Sequence, residues 1–146
     1  MVAPEGITFS VNGGPWINAS VPMAGAVKGV VLVSGAPIIN NQPLGMIYIS
    51  WEVEKSAVGL SWDLDLPQFR YVENEHVQYY HMYPSGGLVV PSPGTLNITK
   101  YGAVGDYISG SFEVQKSGKQ DVRVLPNNPW VGTVPIVGFF RVKRTF

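Results

Sequence analysis

Apolar and polar positions alternate along most of this chain, and the alternation has a period of two. Ile7, Phe9 and Val11 share one face of a segment that ends in Asn12-Gly13. Successive strand side chains point to opposite faces, and Asn-Gly supplies the two positive φ values that a tight hairpin turn demands. The pattern therefore predicts a hairpin that returns through Trp16 to Ser20 and stops at Val21-Pro22. Residues 28–34 are apolar on both faces, which predicts a central strand covered on both sides. The prolines and asparagines of 37–43 predict a loop.

Residues 45–54 read as a long strand with Ile47, Ile49, Trp51 and Val53 on one face. A tight turn at Lys55-Ser56 would lead into Val58, Leu60, Trp62, Leu64 and Leu66, an unbroken alternation ended by Pro67. Strands are expected at Phe69–Val72 and Val77–Tyr83, followed by a Pro/Gly/Ser loop from Pro84 to Pro93 that carries a short apolar insert, Leu88–Val90. Further strands are expected at Thr95–Lys100 and Asp106–Gln115, then a polar turn at Lys116–Gln120 and a short strand at Asp121–Leu125. An exposed loop over 126–135 precedes the last strand, Ile136–Arg144.

No segment keeps a helical period over three turns, and strand signals recur at roughly 8–12-residue intervals. The expected fold is all-β: an antiparallel β-sandwich or β-barrel, lipocalin-like in the barrel case, with about nine or ten strands in one domain spanning 1–146. One internal echo stands out. Tyr107–Val114 and Ile136–Val142 both read apolar–x–Gly–x–Phe–x–Val, which predicts neighbouring antiparallel strands with glycine where a ring approaches closely.

Composition narrows the function. Ten basic and ten acidic residues leave no formal net charge, and the densest basic cluster is Arg141, Lys143 and Arg144. Nucleic-acid binding draws on clustered cations, so no nucleic-acid partner is expected. The absence of cysteine excludes disulfides, thiolate metal sites and cysteine nucleophiles. The longest apolar stretches fall short of the ~20 residues of a membrane helix. Neither a phosphate-binding glycine loop nor Gly-x-Ser-x-Gly occurs, and Ser109 sits inside an expected strand rather than at an elbow.

Chemistry-bearing residues are few. His76 and His81, five apart, would point to opposite faces of a strand and read as exposed or loop-edge residues. Glu52/Glu54 and Asp63/Asp65 would share one surface if their strands formed a hairpin. That arrangement would fit a solvated face, a calcium site at Asp63 and Asp65, or a glycosidase pair. Aromatics give the stronger lead. Tyr79, Tyr80, Tyr83 and Trp130 are candidate binding residues, because flat rings with a polar tip suit sugar or peptide recognition.

Three motifs carry a resemblance: Phe9-x-Val11-Asn12-Gly13-x-x-Trp16, Gly94–Tyr101 leading into Tyr107–Phe112, and Ile136–Val142. In this order they resemble small, functionally uncharacterised β domains of secreted or lipid-anchored Bacteroidetes-type envelope proteins. The resemblance covers both ends of the chain and implies an extracytoplasmic, bacterial setting. The start Met1-Val2-Ala3-Pro4-Glu5-Gly6 reads either as native or as a start codon placed on a trimmed mature chain; the resemblance implies the second, with membrane attachment only through a lost lipid anchor. It brings no catalytic residues. The resulting expectation is a non-enzymatic binding domain without a cofactor, which presents loops and an aromatic/polar face to a glycan or protein. A structural subunit of an envelope assembly and a carboxylate-based glycan-active enzyme are the alternatives.

Overall fold

The computed structural model describes residues 5–55, 59–124 and 129–146. Eight antiparallel strands close into a barrel. In order around the wall they are β1 (Gly6–Val11), β2 (Ile17–Val27), β3 (Val30–Ile39), β5 (Met46–Glu52), β7 (Gln68–Val72), β8 (Val77–Tyr80), β12 (Tyr107–Asp121) and β13 (Trp130–Lys143), which returns to β1. Five shorter or peripheral strands join them among the described residues. β4 (Gln42–Pro43) pairs with β3, and β6 (Leu60–Ser61) pairs with β11 (Gly94–Tyr101), itself alongside β12. β9 (Met82–Ser85) and β10 (Leu88–Pro91) form a separate two-stranded ribbon. A 3₁₀ turn spans Val53–Lys55. Closure is what distinguishes this architecture from a sandwich: β12 and β13 pair over almost their whole length and leave the main wall without an edge.

The inward positions are those the alternation selects. Ile7, Phe9, Val31, Val33, Ile47, Ile49, Trp51, Phe69, Tyr71, Leu96, Ile108, Phe112, Ile136 and Phe140 are buried in one core cluster. Eight strands leave an interior just wide enough for side chains to fill, and here the large rings fill it. Phe9 meets Tyr71 edge-on at 4.8 Å, and Phe69 lies 5.4 Å from Phe112.

The first hairpin forms as the pattern predicts, with Asn12 and Gly13 both at positive φ. The two Gly-x-Phe strands are neighbours, in register over Tyr107–Val114 and Ile136–Lys143. Elsewhere strands run through expected stops. β2 continues past Val21-Pro22 by way of a register shift between Ser20 and Met23. β3 extends through the expected 37–43 loop to a turn at Asn40-Asn41, both at positive φ, with β4 on its far side. The polar segment 116–120 is no turn. β12 crosses it on a register shift between Val114 and Ser117, exchanging its β11 neighbour for β8. β13 begins at Trp130, inside the expected loop, whereas Val122–Val124 form a turn rather than a strand. Leu88–Val90 form β10 rather than a loop insert.

The largest correction concerns 58–66. Among the described residues of this stretch only Leu60–Ser61 is strand, the chain bends through Leu64–Pro67, and Leu64 is 44% exposed. Trp62 alone of the later apolar positions is buried, held by its indole N–H donating to the Glu113 carbonyl at 2.8 Å. The expected Lys55-Ser56 turn and Val58 fall largely outside the described residues, as do Leu125 and 126–128.

Candidate functional site

The barrel wall carries a row of outward side chains that crosses five strands in register. Met23 pairs with Ser34, Ser34 with Tyr48, Tyr48 with Arg70, and Arg70 with Tyr80. Tyr80 in turn faces Gly118 on β12. Opposed residues on one face of an antiparallel sheet lie close enough for their side chains to interact.

At the centre of this row Gln78 organises the polar groups. Its Oε1 accepts from Arg70 Nε at 3.0 Å, from Arg70 Nη2, and from the Tyr80 hydroxyl at 2.7 Å. Arg70 Nη1 donates to the Tyr48 hydroxyl at 3.0 Å, and the guanidinium lies 5.3 Å from the Tyr80 ring centroid. Burial works against the Arg70 charge, but the Tyr48 hydroxyl and the neighbouring phenols outweigh it and hold the guanidinium above its ordinary pKa. Beyond Tyr80, Trp130 closes the row with a T-shaped contact at 5.7 Å. Its indole lies over Gly118, where an added Cβ would sit 2.5 Å from Trp130 Cζ3. In the other direction the row opens into an apolar groove of about 290 Å³ lined by Met23, Leu32, Ser34, Met46 and Tyr48. Met23 and Met46 are 47% and 50% exposed there.

The four aromatic candidates divide. Tyr80 and Trp130 come together on the outer wall. Tyr79 points inward, 4% exposed, and stacks on Tyr71 with centroids 5.3 Å apart, so it packs the core. Tyr83 lies on the β9–β10 ribbon, with Lys116 Nζ 5.5 Å from its ring. Tyr48, Arg70 and Gln78 were missed. All three occupy the polar phase of their strands, and only the cross-strand register reveals that they converge.

The carboxylates do not gather as the sequence pattern allowed. β5 pairs with β3 and β7, and β6 pairs with β11, so Glu52 and Asp63 do not stand on one hairpin. Asp63 and Asp65 are exposed at a bend, where Asp63 Oδ1 accepts from the Leu64 amide at 2.6 Å. No group of three or more metal-ligating side chains forms among the described residues. His81 also departs from its expectation. It is 3% exposed, 6.2 Å from Trp62, with Nδ1 against the Phe69 backbone carbonyl at 3.1 Å. The chain breaks strand between Tyr80 and Met82, and that bend turns the imidazole into the core. His76 stays at the loop edge beside Glu75.

No protein-family model matches the chain, and no curated protein and no solved structure matches it.

Proposed function

We propose that this chain is a non-enzymatic, extracytoplasmic binding domain that docks a protein partner on the outward face of β2, β3, β5, β7 and β8 around the Met23–Tyr80 row. The observation that carries the reading is the continuous row from the Met23/Met46 groove through Tyr48 and Arg70 to Tyr80. Methionine, tyrosine and arginine are the residues enriched where proteins meet, and unbranched methionines adapt to a partner's side chains. The Gln78 network holds Arg70 and both tyrosines in place before any partner arrives, which lowers the entropy cost of docking. A protein fits this face better than a sugar. Stacking a pyranose needs an open ring face, whereas Arg70 lies over the Tyr80 ring and Trp130 packs on Gly118. The resemblance of both chain ends to envelope domains supports the extracytoplasmic setting.

Photo-cross-linking from position 46 in an envelope extract tests the reading. A discrete adduct abolished by Met23→Glu and weakened by Tyr48→Ala is expected. Adducts indifferent to both changes would sink it, and retention on a glycan array lost in Tyr80→Ala and Trp130→Ala would redirect it to sugar.

A second reading has its own observation. β10 pairs only with β9 among the described residues and exposes Leu88 and Val89, with no charge on the strand. Such an apolar edge favours a structural subunit that pairs through strand addition. Sedimentation that reveals an oligomer disrupted by Val89→Lys supports it; a monomer at all concentrations removes it.

A further inference from the structure

We propose that a second outward face, on β11, β12, β13, β1 and β2, binds a neutral oligosaccharide with Trp16 and Phe139 as its stacking platform. This site shares no residue with the Tyr48–Arg70 face and does not depend on it.

The platform is another register row. Asn97 pairs with Ser111, Ser111 with Phe139, Phe139 with Thr8, and Thr8 with Asn18. With strands about 4.8 Å apart, five strands carry this row over roughly 19 Å, the length of a short oligosaccharide. Trp16 stands beside it, 57% exposed, with its ring 5.9 Å from that of Phe139 and tilted by 53°.

The turn that carries Trp16 is held firmly. Ser10 Oγ donates to the Gly14 carbonyl at 2.7 Å, the Gly14 amide to Val11 O at 3.0 Å, and the Asn12 amide to Pro135 O at 2.7 Å. An indole fixed in water forgoes the burial that aromatic side chains ordinarily gain, and a rigid, exposed ring is what a binding surface requires.

The ligand class follows from what surrounds the rings. Every member of the row is uncharged, and four of the five carry a short hydroxyl or amide. Thr8 Oγ1 donates to Asn18 Oδ1 at 3.0 Å, which leaves the Asn18 amide hydrogens directed elsewhere. The nearest charges on the flanking rungs are engaged within the chain. Lys100 Nζ is paired with Asp106 Oδ1 at 3.0 Å, Gln115 Nε2 donates to Glu113 Oε1, and the Arg141 guanidinium lies 3.7 Å from the Tyr107 ring centroid. An anionic ligand finds no free cation in the row. Around the Trp16–Phe139 platform an extended peptide finds no free edge, because β12, β13 and β1 are paired on both sides there, although β11 at the end of the row is covered by β6 only at Thr95 and Leu96. A pyranose has the matching chemistry: an apolar C–H face for the rings and a rim of hydroxyls for serine, threonine and asparagine.

Affinity electrophoresis in native gels tests the proposal. The gels contain mixed-linkage glucan, xyloglucan, galactomannan or amylopectin, with polygalacturonate as the anionic comparison. The wild type is expected to be retarded by at least one neutral polymer. Trp16→Ala should weaken retardation by about tenfold or more, and Asn18→Ala by a few-fold. Both variants should keep the wild-type circular dichroism spectrum and melting midpoint, since both residues are exposed. Tyr48→Ala should migrate as the wild type does, which separates this site from the protein-docking face. Unretarded wild type in every neutral gel, retardation by polygalacturonate alone, or retardation that survives both substitutions overturns the assignment.

Discussion

Phe112 faces Gly138 across the β12–β13 ladder, and two positions along the ladder Phe140 faces Gly110. The two strands exchange ring for gap reciprocally, which is why the Gly-x-Phe echo in the sequence becomes an antiparallel pair. A Cβ on Gly138 would lie 2.5 Å from Phe112 Cζ and 2.7 Å from the Thr8 carbonyl oxygen. On Gly110 it would lie 2.4 Å from the Asn97 carbonyl oxygen and 2.7 Å from Phe140 Cζ. Backbone oxygens cannot move aside as a side-chain tip can. Gly138→Ala and Gly110→Ala are each expected to cost about 1–3 kcal/mol or more by overpacking, read as a lower midpoint in urea denaturation. A midpoint unchanged in both would contradict the fit described.

Tyr71 and Tyr79 give the barrel an alkaline limit. Burial, reinforced by the Glu73 charge, pushes Tyr79 up to about 12, and the same causes, with Tyr79 itself added, raise Tyr71 further. An unfolded tyrosine ionises near ~10. The folded state therefore holds protons that the unfolded state releases, and stability drops wherever the unfolded chain binds fewer. Stability from these groups should be fully present below about pH 10 and fall as pH climbs toward 12. Denaturant midpoints measured across that window check the sign.

The Tyr71 hydroxyl is buried without a hydrogen-bond partner. Tyr71→Phe removes a polar group that gains nothing from the fold, so the variant should equal or exceed the wild type by up to ~1 kcal/mol near neutral pH. It should also flatten the alkaline decline. Clear destabilisation would mean that the hydroxyl is satisfied in solution.

Asp121 governs the acid side. The Arg123 guanidinium, 2.8 Å from Asp121 Oδ2, holds the carboxyl at about 2. A depressed folded pKa contributes stability above the ordinary carboxylate range, and that contribution is lost as pH falls from about 4 through 2. Carboxyl-detected NMR titration should return Asp121 toward its ordinary value in Arg123→Ala. An unchanged titration would remove Arg123 as the cause.

Lys28 occupies a left-handed conformation, φ 51°, beside Gly29 in the turn between β2 and β3. Asparagine tolerates that region better than a long aliphatic stem does. Lys28→Asn should raise stability by about 0.5–1 kcal/mol, measured by thermal or chemical denaturation.

How far the fold was legible depends on where its signal is local. The Asn12-Gly13 turn, the inward set of β5 and the Gly-x-Phe pair were readable because turn chemistry and period-two alternation act over a few residues. Residues 58–66 misled for the same reason. Their alternation is as regular as that of β5, yet the strand ends at Ser61, the chain bends from Leu64 and turns that side chain to water, and Trp62 is buried with its indole N–H on the carbonyl of Glu113. Within the candidate sites, Tyr80 and Trp130 were visible as aromatics. Arg70 and Gln78 were not, since a polar residue on a solvent phase has no distinguishing mark until a neighbour stands opposite.

By itself the sequence determined the class, an antiparallel β protein, and for most strands the side chains that turn inward, because strand alternation and turn preference are properties of consecutive residues. Tertiary structure decided the closure of the barrel and the continuity of β2 and β12. Register shifts at Ser20/Met23 and Val114/Ser117 change the phase of a strand only in relation to its partners. It also decided which rings face water. Tyr79 and Tyr80 are adjacent in the chain, but one stacks in the core and the other meets Trp130 outside, some fifty residues away, across a ladder that no local pattern encodes.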